Sequence, residues 1–68
     1  MEVLVEIPGD GVHEITLDET MDPTYHDLLA ALDLSPHEVA VLVDGRPVPE
    51  TNLVTTDRVT VLKMIQGG

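Results

Sequence analysis

Two glycines, Gly67 and Gly68, close the sequence directly after an apolar segment that runs from Val59 to Ile65. Neither glycine has a Cβ, so both can adopt backbone angles that other residues avoid and can pass through a narrow slot. The pattern predicts that the carboxylate of Gly68 is a reactive group offered to the active site of another protein. The alternative is that the two glycines are only a frayed end of the chain.

Lys63 is the only lysine, since the other two basic residues are Arg46 and Arg58. Its side-chain amine and the α-amine of Met1 are the two amines that an activated carboxylate could acylate. Chains of copies joined by isopeptide bonds would therefore have to run through Lys63. The alternative interpretation is a solvated charge on the last strand.

The sequence carries few other groups that are used in catalysis. Cysteine is absent, which excludes disulfides, thiolate nucleophiles and sulfur-ligated metals. His13, His26 and His37 lack the i, i+4 spacing of a helical metal site. Neither a Ser-His-Asp arrangement nor a phosphate-binding glycine loop is indicated. We therefore expect a protein without a metal site and without an active site of its own.

Thirteen acidic residues against three basic ones give a formal net charge of −10, and the acidic residues are spread along the chain. Direct contact with nucleic acid or an anionic membrane is disfavoured, because phosphate contacts need Lys and Arg. The charge either steers a basic partner enzyme or adapts the surface to a salt-rich cytoplasm. The scattering favours the second interpretation, because ~1 M salt cuts the screening length to roughly 3 Å. Without a basic leader or a long apolar run, the expected location is the cytoplasm.

The first half of the sequence predicts a β-hairpin followed by a helix. Alternating apolar residues predict strands over 2–7 and 12–17, joined by a turn at Pro8-Gly9-Asp10-Gly11. An acidic, irregular segment over 18–23 follows. Thr24 is positioned to cap a helix, with Asp27 three residues later, and Ser35-Pro36 prevents the helix from continuing. The apolar stripe of this helix consists of Tyr25, Leu28, Leu29 and Leu32.

The second half predicts three strands. Residues 39–43 are apolar at every position, which is typical of a central strand. Asp44-Gly45 is a hairpin turn signal, and two prolines confine the segment over 46–49 to a sheet edge. A connection over 51–57 leads to the last strand, over 58–65. The predicted fold is α+β, with one helix on one face of a mixed sheet of four to five strands. We expect one domain over 1–66 and a tail over 67–68.

The same alternation assigns each strand an inner and an outer face. The side chains expected to face the helix are Val3, Val5, Ile7, Ile15, Leu17, Leu28, Leu29, Leu32, Leu34, Val41, Val43, Val59 and Val61. The outer face would carry Leu4, Leu42, Leu62 and Met64. We expect the three leucines to be neighbours there and to form a docking patch for a partner. Ordinary exposed leucines or a weak self-association surface are the alternatives.

The order of elements, the length and the final diglycine together resemble the ubiquitin-like β-grasp family, and within it the small archaeal modifier proteins. The stretch LSPHEVAVLVDGRPVPE, over 34–50, is similar to their central strand and hairpin. The stretch DRVTVL, over 57–62, followed by Gly67-Gly68, is similar to their final strand and tail. The acidic composition suits haloarchaea, where such modifiers are known.

The resemblance implies a β-grasp fold and a double role. A ubiquitin-activating-type enzyme would adenylate Gly68 with ATP and Mg²⁺, and those cofactors belong to that partner. The activated tail would then either form an isopeptide bond with lysines of target proteins or take sulfur from a sulfur donor enzyme as a thiocarboxylate. The sulfur branch feeds tRNA thiolation or molybdopterin synthesis, the latter with the molybdopterin synthase large subunit as a partner.

Two other functions stay open. One is a dedicated sulfur carrier, either the small subunit of molybdopterin synthase or a thiamine-pathway carrier, which would bind a single large partner. The other is a non-covalent β-grasp interaction module whose tail is unused. A β-grasp ferredoxin is excluded, because no cysteine is present to hold iron.

Overall fold

The structure is a computed structural model, and it describes residues 1–64 of the chain. Five strands, one α-helix and one 3₁₀ turn follow one another along these residues. Their bounds are β1 Glu2–Ile7, β2 Gly11–Thr16, the 3₁₀ turn Glu19–Met21, α1 Tyr25–Ala31, β3 Val39–Val43, β4 Arg46–Pro47 and β5 Arg58–Lys63. The predicted domain over 1–66 and its tail over 67–68 extend beyond the described residues and stay predictions.

The five strands form one mixed sheet in the order β2-β1-β5-β3-β4. The β1–β2 and β3–β4 pairs are antiparallel hairpins, and β5 lies between β1, to which it is parallel, and β3, to which it is antiparallel. One face of this sheet packs against α1 through a shared apolar cluster. The α+β fold with one helix on a mixed sheet is therefore confirmed.

Turn residues with positive φ close both hairpins. Pro8-Gly9 connects β1 to β2, with Asp10 N donating to Ile7 O at 2.8 Å and Gly9 at φ +85°, the angles of a type II turn. In the second hairpin Asp44 and Gly45 both have positive φ, at 52° and 77°. That combination belongs to the type I′ turn, whose twist matches the flanking strands. Both hairpin turns lie where the sequence predicts them.

Helix α1 is defined at both ends by local hydrogen bonds. At the N-terminus Thr24 N donates to Asp27 Oδ2 at 2.8 Å, and Asp27 N donates back to Thr24 Oγ1 at 3.3 Å, which is a capping box. At the C-terminus Asp33 has φ +58°, and Leu34 N donates to Leu29 O at 2.9 Å. This Schellman-type end stops the helix before the Ser35-Pro36 signal is reached.

The core is apolar and lies between α1 and the inner face of the sheet. Its buried members are Val3, Val5, Ile7, Leu17, Tyr25, Leu28, Leu29, Val39, Val41, Val54, Val59 and Val61. Ile15, Leu32, Leu34 and Val43 were expected inside and are only partly buried, at the rim of this cluster. Val39, Val54 and Tyr25 were not in the predicted inner set. Val54 could not be placed by periodicity, because it lies in a connection without regular structure.

Four predicted boundaries differ from the structure, and one of them is that of β4, which ends at Pro47 and not at residue 49. Strand β2 starts and ends one residue earlier than predicted, because Gly11 already pairs with Ile7. The segment over 18–23 is not wholly irregular: Asp18 caps a 3₁₀ turn by accepting a hydrogen bond from Thr20 N at 3.0 Å. The last strand ends at Lys63, where its pairing with Val39 ends, and Ile65 lies outside the described residues.

Candidate functional site

Strand β5 carries the chain toward its C-terminus, and it is an interior strand. Its backbone is paired on one side with β1 and on the other with β3. One further hydrogen bond holds the next residue, because Met64 N donates to Glu38 O at 2.8 Å. The chain is therefore held by its neighbours up to Met64. Gly67 and Gly68, the predicted reactive residues, lie outside the described residues.

Lys63 lies at the end of β5, beside the turn between β1 and β2. Its Nζ is 3.4 Å from Asp10 Oδ2, and both side chains are about half exposed. An exposed ion pair of this kind contributes little to stability and exchanges readily with water. The amine of Lys63 is therefore accessible, as an acceptor requires.

The α-amine of Met1, the second predicted acceptor, has a structural role. It donates to Leu17 O at 2.7 Å and lies 3.3 Å from Glu19 Oε1. Leu17 N donates back to Met1 O at 2.7 Å, so that Met1 and Leu17 extend the β1–β2 ladder by one pair. Acylation would remove the positive charge that the contact with Glu19 uses, although the amide formed would keep one N–H for Leu17 O. No short sequence pattern indicates these contacts, because Met1 and Leu17 are 16 residues apart.

The outer face of the sheet carries the leucines of the predicted docking patch, but the strand register separates them. Leu4 lies beside Arg58 of β5, and Leu42 lies beside Thr60. Leu62 is opposite Ala40, which makes it a diagonal neighbour of Leu42.

The expected single cluster of three leucines is therefore corrected. Along β5, Leu62 is four positions away from the level of Leu4, roughly 13 Å at 3.3 Å per residue. Leu42, Leu62 and the half-exposed Met64 form one apolar group, which we call the β3–β5 patch. Leu4 belongs to a separate shallow depression with Glu6, Val12 and Arg58.

The β1–β2 half of the outer face is acidic. It carries three glutamates, each in a cross-strand pair that the hairpin register sets. The pairs are Glu2 with Thr16, Leu4 with Glu14, and Glu6 with Val12. Arg58 is the basic side chain next to this half, on β5. The outer face is thus divided into an acidic half on β1 and β2 and an apolar half on β3 and β5.

The histidines do not assemble a site. His26 Nδ1 is 3.7 Å from Glu50 Oε1, with both side chains exposed. His13 is partly buried on β2, and its Nε2 has no hydrogen-bond partner among residues 1–64. In the same part of the chain, no group of three or more metal-ligating side chains comes together. No helix described there is long and apolar enough to cross a membrane.

Comparison with known proteins gives the family. The sequence model of the family described as Small archaeal modifier protein 2 matches residues 1–65. The chain belongs to this family. A curated relative, small archaeal modifier protein 2 of Haloferax volcanii, is 57% identical over 68 residues, which is 100% of each chain.

A solved structure supports the same assignment. The crystal structure of Haloferax volcanii small archaeal modifier protein 2 superposes with a TM-score of 0.72 at 56% identity, covering 97% of both chains. The fold is therefore the ubiquitin-like β-grasp that the sequence predicted. As a member of the small archaeal modifier protein 2 family, the chain is a ubiquitin-like modifier. A modifier acts through enzymes that attach it and through the proteins that receive it.

Proposed function

We propose that the carboxylate of Gly68 is the chemical donor of this modifier and that a partner enzyme activates it with ATP and Mg²⁺. The carboxylate oxygen attacks the α-phosphorus of ATP, a P–O bond forms, and pyrophosphate leaves. The product is an acyl adenylate, whose leaving group is AMP. A free carboxylate would have to expel oxide, so this step makes the acyl carbon reactive.

The adenylate then reacts in one of two ways. The ε-amine of a target lysine attacks the carbonyl carbon, AMP leaves, the amine loses a proton, and an isopeptide bond remains. In the other branch a sulfur donor enzyme supplies hydrosulfide, whose sulfur attacks the same carbonyl carbon. AMP leaves, the sulfur loses its proton, and a thiocarboxylate remains for tRNA thiolation or molybdopterin synthesis. Gly67 and Gly68 suit both branches, because a Cβ would crowd the attacked carbonyl.

The full-length match to a protein named as a modifier is the observation that carries this proposal. The described residues add a mechanical reason. Strand β5 is paired on both sides, and Met64 is tied to Glu38, so the body fixes the point from which the last residues start. An enzyme that binds the folded body therefore meets the last residues at a fixed starting point.

Mass spectrometry of the native protein and its host proteome tests the proposal. The intact mass should show an oxygen-to-sulfur exchange, or tryptic peptides of other proteins should carry a remnant on lysine. Trypsin cuts after Lys63, so the remnant to search for is Met-Ile-Gln-Gly-Gly and not diglycine alone. Absence of both signals under conditions that express the protein would contradict the proposal.

One appended residue provides the matched control. A chain extended by a single alanine after Gly68 keeps the entire folded body and moves the carboxylate by one residue. It should lose both conjugation and thiocarboxylate formation completely. If it supports either reaction at the normal rate, Gly68 is not the donor.

Lys63 is the proposed acceptor when copies are joined to each other. The α-amine of Met1 is held between Leu17 O and Glu19, whereas the amine of Lys63 makes one exposed ion pair. Lys63→Arg keeps the charge beside Asp10 and removes the nucleophile. Ladders of linked copies should disappear, while attachment to other proteins continues. Ladders that persist in Lys63→Arg would exclude this linkage.

The β3–β5 patch of Leu42, Leu62 and Met64 is the proposed docking surface for the activating enzyme. It is apolar, partly exposed and next to the strand that leads to the tail. Leu62→Asp and Leu42→Asp should each lower the rate of adenylation by roughly tenfold or more, the loss expected for a residue worth over 1.4 kcal/mol in an interface.

Leu53 supplies a matched control for the docking test, because it is an exposed leucine in the connection before β5. Leu53→Asp adds the same charge to the surface outside the β3–β5 patch. Equal loss of adenylation in Leu53→Asp and Leu62→Asp would show that the added charge, and not the patch, is responsible.

A further inference from the structure

The two edges of the sheet are protected to very different degrees. Strand β4 is only two residues long, and Pro47 and Pro49 in this segment have no N–H to offer. Strand β2 is six residues long, Gly11–Thr16, with neither proline nor lysine. Within residues 1–64 no strand pairs with the other side of β2. Proteins usually protect an edge of this length against pairing with other chains.

The hydrogen-bond pattern shows which backbone groups of β2 are free to pair. Met1 and Leu17 exchange both of their hydrogen bonds, so theirs is a hydrogen-bonded pair of the antiparallel ladder. Such pairs alternate along a ladder, so Ile15 and His13 also bond toward β1. The N–H and C=O groups of the residues between them, Val12, Glu14 and Thr16, therefore point to the open edge.

The side chains of the same three residues lie on the acidic half of the outer face. Glu14 of β2 lies opposite Leu4 of β1. Glu2 and Glu6, also on β1, lie opposite Thr16 and Val12. Val12 is 62% exposed, which is unusual for a valine in a strand. The edge thus combines unpaired backbone groups with exposed apolar surface and three carboxylates.

We propose that the open edge of β2 binds an extended segment of a partner protein as a sixth strand, with lysine or arginine side chains above the glutamates. Main-chain hydrogen bonds would supply affinity, and the alternate side chains would supply selectivity. A second copy of this chain does not fit, because pairing β2 with β2 would bring Glu14 of both copies to one face of a protein with net charge −10. This binding needs neither Gly68 nor an activating enzyme, so it goes beyond the proposed function.

A capped peptide of alternating valine and lysine is the probe. In an antiparallel pair, residues directly opposite each other have their side chains on the same face. The backbone groups of Glu14 point to the open edge, so a lysine placed opposite Glu14 directs its own N–H toward β2. The full chain, labelled with ¹⁵N, is titrated at a salt concentration at which it is folded. The amide signals of Val12, Glu14 and Thr16 should shift most, and their hydrogen exchange should slow.

Two modified peptides of identical charge separate strand pairing from general attraction to an acidic protein. N-methylation of the lysines blocks the N–H groups that face β2 and should weaken binding at least tenfold. N-methylation of the valines blocks the groups that face away and should leave binding almost unchanged. Equal binding of the two methylated peptides would overturn the proposal, as would absence of binding up to millimolar peptide.

Charge reversal on the protein gives the second arm. Glu14→Lys should weaken binding of the alternating peptide about tenfold, whereas Glu38→Lys, an equal change on an exposed residue before β3, should have little effect. Equal effects of the two reversals would overturn the assignment to β2. Sedimentation of the unbound chain as a dimer with protected amides at Val12, Glu14 and Thr16 would also overturn it, since a second copy would then occupy the edge.

Discussion

The two faces of the sheet are built from alternate residues of the same strands, but they differ in composition and in role. The inner face is a continuous layer of buried valines with no buried polar residue described there. The outer face alternates leucines with Thr60, Arg58 and three glutamates, and its leucines are only partly buried. Since adjacent residues of a strand point to opposite sides, a substitution on one face leaves the packing of the other intact. Stability and recognition can therefore be changed separately.

The largest difference between the faces should appear when one leucine is truncated on each side. Leu28 is fully buried in α1 against the inner face, and Leu62 is 39% exposed on the outer face. Leu28→Ala should cost about 2–5 kcal/mol of unfolding free energy, because it removes packed methyl groups and leaves a cavity. Leu62→Ala should stay within about 0.5 kcal/mol. Denaturant titration measures both, and similar losses would show that the faces are not independent.

Salt should act on the outer face and the loops, where the charges are. The net charge of −10 repels itself at low ionic strength, and screening removes that repulsion. We expect the melting temperature to fall by roughly 10 °C between molar and low millimolar salt, equivalent to about 2 kcal/mol in a domain of this size.

A triple variant locates the origin of the salt effect. Changing Glu2, Glu6 and Glu14 to glutamine removes the acidic half of the outer face and leaves the inner face untouched. The melting temperature of this variant should depend less on salt than that of the parent chain. An unchanged dependence would place the repulsion elsewhere on the surface.

The capping box of α1 tests how far the inner face relies on the helix that covers it. Thr24→Ala removes the hydroxyl that accepts a hydrogen bond from Asp27 N at 3.3 Å. Loss of an N-cap threonine costs about 1 kcal/mol of unfolding free energy. Thr51→Ala, at an exposed threonine in a turn, is the control and should cost little. Equal effects would mean that the cap does not contribute.

The smallest expected effect is a dependence on acidic pH. The backbone N–H and then the hydroxyl of Thr24 lower the pKa of Asp27 below the ordinary value of 3.8. The hydroxyl and then the backbone N–H of Thr20 likewise lower the pKa of Asp18. A carboxylate with a depressed pKa stabilises the fold above its unfolded pKa, and this is lost as pH falls through its folded pKa.

The melting temperature should therefore decline below about pH 4. Both groups are fully exposed, so the decline assigned to them should be small. Asp27→Asn should flatten the decline, because the amide does not titrate. A parallel decline in the parent chain and in this variant would remove Asp27 from the explanation.

Much of the fold was predictable because its signals are local. The turns at Pro8-Gly9 and Asp44-Gly45, the cap at Thr24 and the apolar alternation of the strands are each specified within a few residues. The confinement of the Pro47 segment to a sheet edge follows from the missing N–H of proline. The end of α1 was less predictable, since an aspartate, Asp33, takes the left-handed position that glycine usually fills.

The candidate site was predictable only in part. The sequence named Lys63 and the leucines of the outer face, and the resemblance gave Gly67 and Gly68 their expected roles. The sequence did not indicate that the α-amine of Met1 contacts Leu17 and Glu19, because no short pattern links residues so distant along the chain. The roles of Gly67 and Gly68 stay predictions, since they lie outside the described residues.

The sequence by itself determined which residues of each strand face the helix, because a period of two is imposed by the strand backbone alone. Only the tertiary structure decided how far each strand is displaced along its neighbour. That offset places Leu4 beside Arg58, joins Leu42 to Leu62, and leaves β2 at an open edge. It results from packing between segments that are distant in the chain, and such packing leaves no periodic trace in the sequence.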